Sequence, residues 1–126
     1  MNLDSELTIR SPDVRTVNVP MQRPPKTGGG EVKSGGMCLV DLLTDEEVSG
    51  CSYLFCPTPL ALESVAKLLS NLAPLVEGER LAPREIERKL HKTSRLVGAQ
   101  GLTGMARAGI DMATWDEEAV RRYLVG

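Results

Sequence analysis

Between Pro20 and Gly36 the chain carries prolines at 20, 24 and 25 and glycines at 28, 29, 30, 35 and 36, and no helix can cross that stretch. Proline fixes the backbone and removes a donor, while glycine admits conformations that other residues resist. The segments on either side must therefore be separate elements joined by a loop. Ahead of it, Leu7 and Ile9 alternate with Thr8 and Arg10, and Val14, Val17 and Val19 follow an interruption at Ser11-Pro12-Asp13. This pattern predicts one long strand from Leu7 to Val19, broken by a bend or bulge. Behind it, Met37 to Leu43 is rich in branched apolar residues, and Val48, Cys51, Tyr53 and Phe55 continue beyond an acidic Thr44-Asp45-Glu46-Glu47. The pair reads as a hairpin, so three antiparallel strands form a meander.

The rest of the chain has helical periodicity. Thr58 is placed to cap a helix with Pro59 at its first position, and Leu60, Leu62, Val65, Leu68, Leu69 and Leu72 mark one apolar face. This helix is expected to fade near Ala73-Pro74. Leu81-Ala82-Pro83 starts a second, with Ile86 and Leu90 inward and Arg84, Glu85, Glu87, Arg88 and Lys89 solvated. A third is expected from about Leu102 through Ala113, with Met105, Ala108, Ile110 and Met112 among small residues. Beyond it, Ala119, Val120, Tyr123 and Leu124 keep helical spacing opposite Glu117, Glu118, Arg121 and Arg122, so the tail can extend the third helix as an amphipathic piece. Three strands followed by about three helices is an α+β order.

A chain of 126 residues with 41% apolar and 25% charged residues suits one globular domain. With only 3% aromatic residues, its core rests on Leu, Val, Ile, Ala and Met. The formal net charge is −2 and the basic residues are scattered among acids, which argues against a nucleic-acid partner. Cys38, Cys51 and Cys56 form no CxxC pair, and the single histidine, His91, is distant in sequence. Buried free thiols in a reducing cytoplasm are expected rather than a disulfide framework or a zinc site. The start, Met1-Asn-Leu-Asp-Ser-Glu-Leu-Thr, has neither a basic region nor an apolar run, and no stretch approaches the roughly 20 apolar residues of a membrane span. The expected location is cytoplasmic, without a membrane partner.

Few residues suggest chemistry. In Lys26-Thr27-Gly28-Gly29-Gly30-Glu31-Val32-Lys33-Ser34-Gly35-Gly36 the glycines resemble an anion cradle, but Lys33-Ser34 precedes the last glycines and Met37 opens a strand, so a P-loop does not fit. A mobile connection or a substrate-covering lid remains. The carboxylates, Asp45, Glu46, Glu47, Glu85, Glu87, Glu117 and Glu118 among them, sit in charged settings that surface solvation explains. His91 has no evident partner, and no nucleophile, base and oxyanion stabiliser come together. No catalytic residue and no metal ligand are assigned.

Several words in the chain belong together. Gly101-Leu-Thr-Gly-Met-Ala-Arg-Ala-Gly-Ile-Asp-Met-Ala-Thr-Trp115-Asp116, with Thr16-Val-Asn-Val-Pro20, Cys38-Leu-Val-Asp-Leu42 and Ser52-Tyr-Leu-Phe-Cys-Pro-Thr-Pro-Leu60, resembles the mandelate racemase and muconate lactonizing enzyme branch of the enolase superfamily over nearly all of residues 5–116. The resemblance implies an N-terminal capping domain over residues 1–114. In intact relatives this cap precedes a (β/α) barrel whose carboxylate-bound Mg²⁺ and lysine or histidine bases remove the proton α to a substrate carboxylate, in racemisation, cycloisomerisation or dehydration. The Lys-x-Lys motif, the three acidic metal ligands and the His-Asp pair have no counterpart here, so the chain by itself is expected to hold no cofactor and to be inactive. The cap's contribution in the family is substrate specificity, and the resemblance passes that role to Thr27, Gly29, Val32, Phe55 and Pro57. Mandelate racemase itself has a tyrosine at the position of Pro57 and bulkier apolar residues at that of Gly29, so mandelate need not be accepted.

Residues 115–126 resemble a different part of the family. In the barrel-entry helix Trp-Asp is usually followed by Ala-Leu-Gly-Lys, whereas Trp115-Asp-Glu-Glu-Ala-Val-Arg-Arg-Tyr-Leu-Val125 is similar to the family's C-terminal tail. An internal deletion joining two Trp-Asp words, with loss of a barrel of roughly 250 residues, would produce this arrangement. Self-association, pairing with a barrel-containing relative, or complementation by a separate barrel chain would then be the modes of partnership, and a non-enzymatic binding module is the competing class.

Overall fold

The computed structural model describes residues 7–56 and 58–125. Strand β1 (Asp13–Pro20) is followed by two short strands, β2 (Lys26–Thr27) and β3 (Gly30–Glu31), then by β4 (Ser34–Leu43) and β5 (Ser49–Cys56). Helices α1 (Pro59–Val76), α2 (Pro83–Thr93) and α3 (Gly101–Val125) complete the chain. Strand β4 lies between β1 and β5, antiparallel to both, with Val17 opposite Met37 and Met37 opposite Phe55. The fold is α+β, as expected: a three-stranded meander with a helical layer on one face.

Strand alternation decides which side chains meet the helices. Cys38, Val40 and Leu42 of β4 and Leu54 and Cys56 of β5 are buried against α1 and α3, while Met37, Leu39, Tyr53 and Phe55 occupy the opposite face. Thr58 caps α1 by accepting from the Leu60 N–H, and Leu62, Val65, Leu69, Leu72 and Val76 form its inward face.

The segment from Leu7 to Ile9 carries the pairing of β1 with β4 onward past the interruption at Ser11-Pro12, as expected of a broken strand: Ile9 bridges Thr44 and the Arg10 N–H donates to Leu43 O at 2.7 Å. On its other side it pairs with the chain leaving α1, the Ile9 N–H donating to Glu79 O at 2.8 Å and the Leu81 N–H to Leu7 O at 2.7 Å. Other expectations are corrected. Leu60 is 87% exposed, because the inward face of α1 begins only at Leu62. The same helix passes Pro74 and ends at Val76, since one missing donor in a final turn is tolerable and the Glu77 N–H still closes on Ala73 O at 3.1 Å. Cys38 and Cys56 are buried, but Cys51 is exposed on the outer face of the sheet. Burial pushes the Cys38 thiol up to about 11, with Cys56 beside it reinforcing the shift, so it is inert at neutral pH.

Helix α3 is one uninterrupted element of 25 residues. It lies against β5 with no space at Gly50, where an added Cβ would fall 2.6 Å from the Glu117 nitrogen. Ser52 Oγ donates to Gly109 O at 2.6 Å, and Asp116 Oδ2 accepts from the Cys51 N–H at 2.9 Å, pinning the helix to the same strand at two levels. Its inward face reads Ala106, Ile110, Ala113 and then Glu117, all buried. In its last turns the apolar side of the amphipathic tail is divided: Val120 packs against the core, whereas Ala119 is exposed, Tyr123 is 85% exposed and Leu124 is exposed as well.

Candidate specificity hairpin

The Pro/Gly stretch is more ordered than a plain connection. Residues 27–30 make a tight turn between β2 and β3, with Lys26 opposite Glu31 and Thr27 opposite Gly30. The Thr27 hydroxyl donates to Gly30 O at 2.8 Å and accepts from the Gly29 N–H at 3.2 Å, so one side chain closes the turn from within. Gly30 has φ of 117°, a backbone that non-glycine residues rarely adopt. Below the turn, the Val32 N–H donates to Pro25 O and the Met21 N–H to Lys33 O, each at 2.9 Å, which continues the ribbon down to β1 and β4.

Thr27 and Gly29 stand exposed at the tip, and Val32 is half-buried on the returning strand. Phe55, 43% exposed, comes to the root of the ribbon from β5. Its ring lies over Gly35, where an added Cβ would be 3.2 Å from Phe55 Cε2 and 3.1 Å from Met21 Cε. The fold thus brings Phe55 and the ribbon carrying Thr27, Gly29 and Val32 to one end of the sheet. Pro57 lies outside the described residues.

The polar residues elsewhere do not converge on a metal or a reacting centre. Among the described residues no group of three or more His, Cys, Asp and Glu side chains is placed to hold a metal ion. The described carboxylates of α2 and α3 that make ion pairs are held by arginines and do not converge as magnesium ligands would. Glu118 accepts from Arg121 Nε at 2.9 Å and from Arg122 Nε at 3.0 Å, and these guanidiniums hold its carboxyl below the usual range. Glu87 is paired with the buried Arg107, whose Nη2 is also 3.3 Å from His91 Nδ1. His91, expected without a partner, therefore belongs to the contact between α2 and α3.

Glu117 is the residue that sequence reasoning missed. Expected on the surface, it is fully buried, and neither of its carboxylate oxygens has a hydrogen-bond partner among the described residues. Burial, with Asp116 adding like charge, pushes its carboxyl up to about 8, so it is held as the neutral acid at neutral pH. The available signal was its place four residues beyond Ala113 and seven beyond Ile110 on the core-facing stripe, but its local composition pointed to solvent.

With this geometry in place, the comparisons with known proteins are specific. The family model described as the mandelate racemase / muconate lactonizing enzyme N-terminal domain matches residues 11–124. A crystal structure of an enolase from Bradyrhizobium, complexed with magnesium and mandelic acid, is 36% identical with a TM-score of 0.85, covering 97% of this chain and 36% of that one. An enolase from an alpha proteobacterium with bound magnesium is 33% identical with a TM-score of 0.85, covering 95% of this chain and 34% of its own. An L-talarate dehydratase from Polaromonas, at 17% identity and a TM-score of 0.83, shares the fold, covering 92% of this chain and 33% of that one. The chain spans about a third of the length of the structures it matches.

Proposed function

Since the chain belongs to the family of mandelate racemase / muconate lactonizing enzyme N-terminal domains, we propose that it is a capping domain that closes over a catalytic barrel and selects the substrate of a Mg²⁺-dependent proton abstraction α to a carboxylate. The observation that carries this reading is the ribbon of residues 26–31, which projects from the sheet end where Phe55 also emerges. Thr27, Gly29, Val32 and Phe55 would line the side of the substrate away from the metal. The absence of a bulky side chain at Gly29 leaves room for an acid larger or more polar than mandelate. The barrel would supply the metal, the bases and the enediolate stabilisation; the carboxylates described here supply none of them.

A chimera tests the proposal. Residues 11–114 replace the corresponding cap of the Bradyrhizobium enolase, and α-deuterium exchange in deuterated water is followed over a panel of hydroxy and sugar acids with Mg²⁺. The isolated chain is expected to give no exchange above buffer, while the chimera exchanges with an altered substrate order. Gly29→Leu in the chimera is expected to raise KM by about tenfold for large acids, the order of effect of a lost close fit, with kcat changed less. Exchange by the isolated chain, or a substrate order that ignores both the cap and Gly29→Leu, would overturn it.

In the same proposal residues 115–126 are a segment of the family's C-terminal tail joined to the last cap helix. Two observations support that. Glu117 and Glu118 of this segment are buried, and its Ala119 and Tyr123 are turned out, although Val120 packs against the core. Such a polarity suits a segment patterned for other neighbours.

A second reading, a module that associates with itself or with a barrel-containing relative, is favoured by the exposed stripe of Met112, Trp115, Ala119 and Tyr123 along α3. Light scattering behind a sizing column is expected to show a concentration-dependent dimer, and Trp115→Lys with Tyr123→Lys is expected to restore the monomer. A wild-type monomer at all concentrations would discard this reading and leave the first intact.

A further inference from the structure

Two rungs of the sheet bring charged and apolar side chains together on its outer face, toward the end away from the ribbon. Arg15, Leu39 and Tyr53 lie side by side across β1, β4 and β5, and Asp13, Asp41 and Cys51 form the next rung. Alternate residues of a strand share a face, so with Cys38, Val40 and Leu42 buried in the core these six side chains point away from it. Met112 and Asp116 of α3 supply a wall beside β5, and a cleft of about 760 Å³ lies between them and the two rungs. Its volume is that of a small-metabolite site.

The walls are apolar, but the charge around them is not balanced. Leu39 is half-buried, Tyr53 is 63% exposed and Met112 44% exposed, so ring, thioether and branched side chain meet water in one concavity. Three carboxylates and one guanidinium surround them. Arg15 Nη2 is paired with Asp41 at 2.9 Å and Arg15 Nε lies 3.8 Å from Asp13, so this one cation is already shared. Asp116 makes no ion pair among the described residues. Its Oδ2 accepts from the Cys51 N–H at 2.9 Å, which fixes the carboxylate on the wall and leaves Oδ1 without a partner among the described residues. A carboxylate held at one oxygen and open at the other, beside an aromatic ring, suits an organic cation: charge-assisted hydrogen bonding and attraction to the ring act on the same group.

We propose that this cleft binds a small organic ammonium with an apolar body, an arylalkyl amine being the simplest of the class. The ammonium donates to Asp116, and the body covers Leu39, Tyr53 and Met112, removing their apolar surface from water. Arg15 on the far side repels a second positive charge, which favours a monocation over a diamine. The site shares no residue with the ribbon of residues 26–31, and its preferred charge is opposite to that of the carboxylate substrates proposed there.

NMR spectra of the full chain, titrated at constant ionic strength with phenethylamine, phenylethanol or phenylacetate, test the proposal. These probes share one body and differ in charge. Saturable shifts are expected with phenethylamine at the Met112 methyl, the Tyr53 ring and the Cys51 amide, and the other two are expected to bind at least about tenfold more weakly, the scale of one charge-assisted hydrogen bond. Asp116→Asn, which keeps an oxygen for the Cys51 N–H, is expected to weaken phenethylamine by about tenfold. Tyr53→Ala, on the exposed face, is expected to weaken it by about threefold or more. Glu63→Gln, an exposed charge on α1 outside the cleft, is expected to leave binding unchanged. Equal binding of the three probes, no saturable shift with phenethylamine, or wild-type affinity in both Asp116→Asn and Tyr53→Ala would overturn the proposal.

Discussion

Raising the pH makes this domain easier to unfold. Glu117 titrates near 8 in the folded chain against 4.5 for the ordinary carboxyl, so between those values the folded state holds a proton that the unfolded state has lost. Stability is therefore fully present below about 4.5 and falls as the pH rises through about 8, by about 4 to 5 kcal/mol from a shift of that size. Most domains gain stability over part of that range as their paired carboxylates ionise. Glu118 behaves in that usual way: its lowered pKa contributes stability above the ordinary carboxyl value, lost only as the pH falls below it. The two glutamates thus act with opposite sign in adjoining windows. Urea unfolding followed by circular dichroism at a series of pH values reads the effect. Glu117→Gln is expected to flatten the curve above pH 4.5, and Glu117→Ala to do the same while leaving no orphaned polar group. A wild-type stability that rises steadily to pH 8 would contradict the neutral, buried acid.

Gly50→Ala is expected to be strongly destabilising for a single added methyl. The new Cβ would fall 2.6 Å from the Glu117 nitrogen and 2.7 Å from Glu117 Cβ, and the first of these belongs to the backbone of α3, which cannot rotate aside. Separating β5 from α3 would also stretch the Cys51–Asp116 and Ser52–Gly109 hydrogen bonds. A loss of about 3 kcal/mol is expected, at the upper end of ordinary overpacking. Gly28→Ala serves as the comparison, because nothing lies within 4 Å of its added Cβ, and it is expected to change stability by about 0.5 kcal/mol or less. Equal melting temperatures for the two variants would show that α3 does not seat on Gly50.

Both predictions turn on the same few residues, where α3 crosses the sheet. If residues 115–126 are the transplanted tail, Glu117 stands where the barrel-entry helix usually carries alanine, a residue that fits a slot against Gly50. The buried acid and the outward Tyr123 are then two consequences of one junction. Glu117→Ala restores the small residue, and its gain in stability at neutral pH is the signature of that origin.

The sequence was enough to divide the chain into strands and helices and to locate the candidate ribbon. Alternation in β4 and β5, the capped start of α1 and the Pro/Gly block each act over a few neighbouring residues, and local backbone preference expresses them directly. It was also enough for the family, because the words around Trp115 and Ser52 carry it without any contact being known. It misread the outward placement of Leu60 and Cys51 and the fate of Glu117. Periodicity says which residues share a face, but the direction that face takes depends on what packs against it. For α3 that decision is made by Gly50, fifty and more positions away in the chain, which admits the helix so closely that the stripe of Ala106, Ile110 and Ala113 must be followed inward by Glu117. Arg107 of α3 meets Glu87 and His91 of α2 for the same reason: only the docking of α3 beside α2 brings these side chains together.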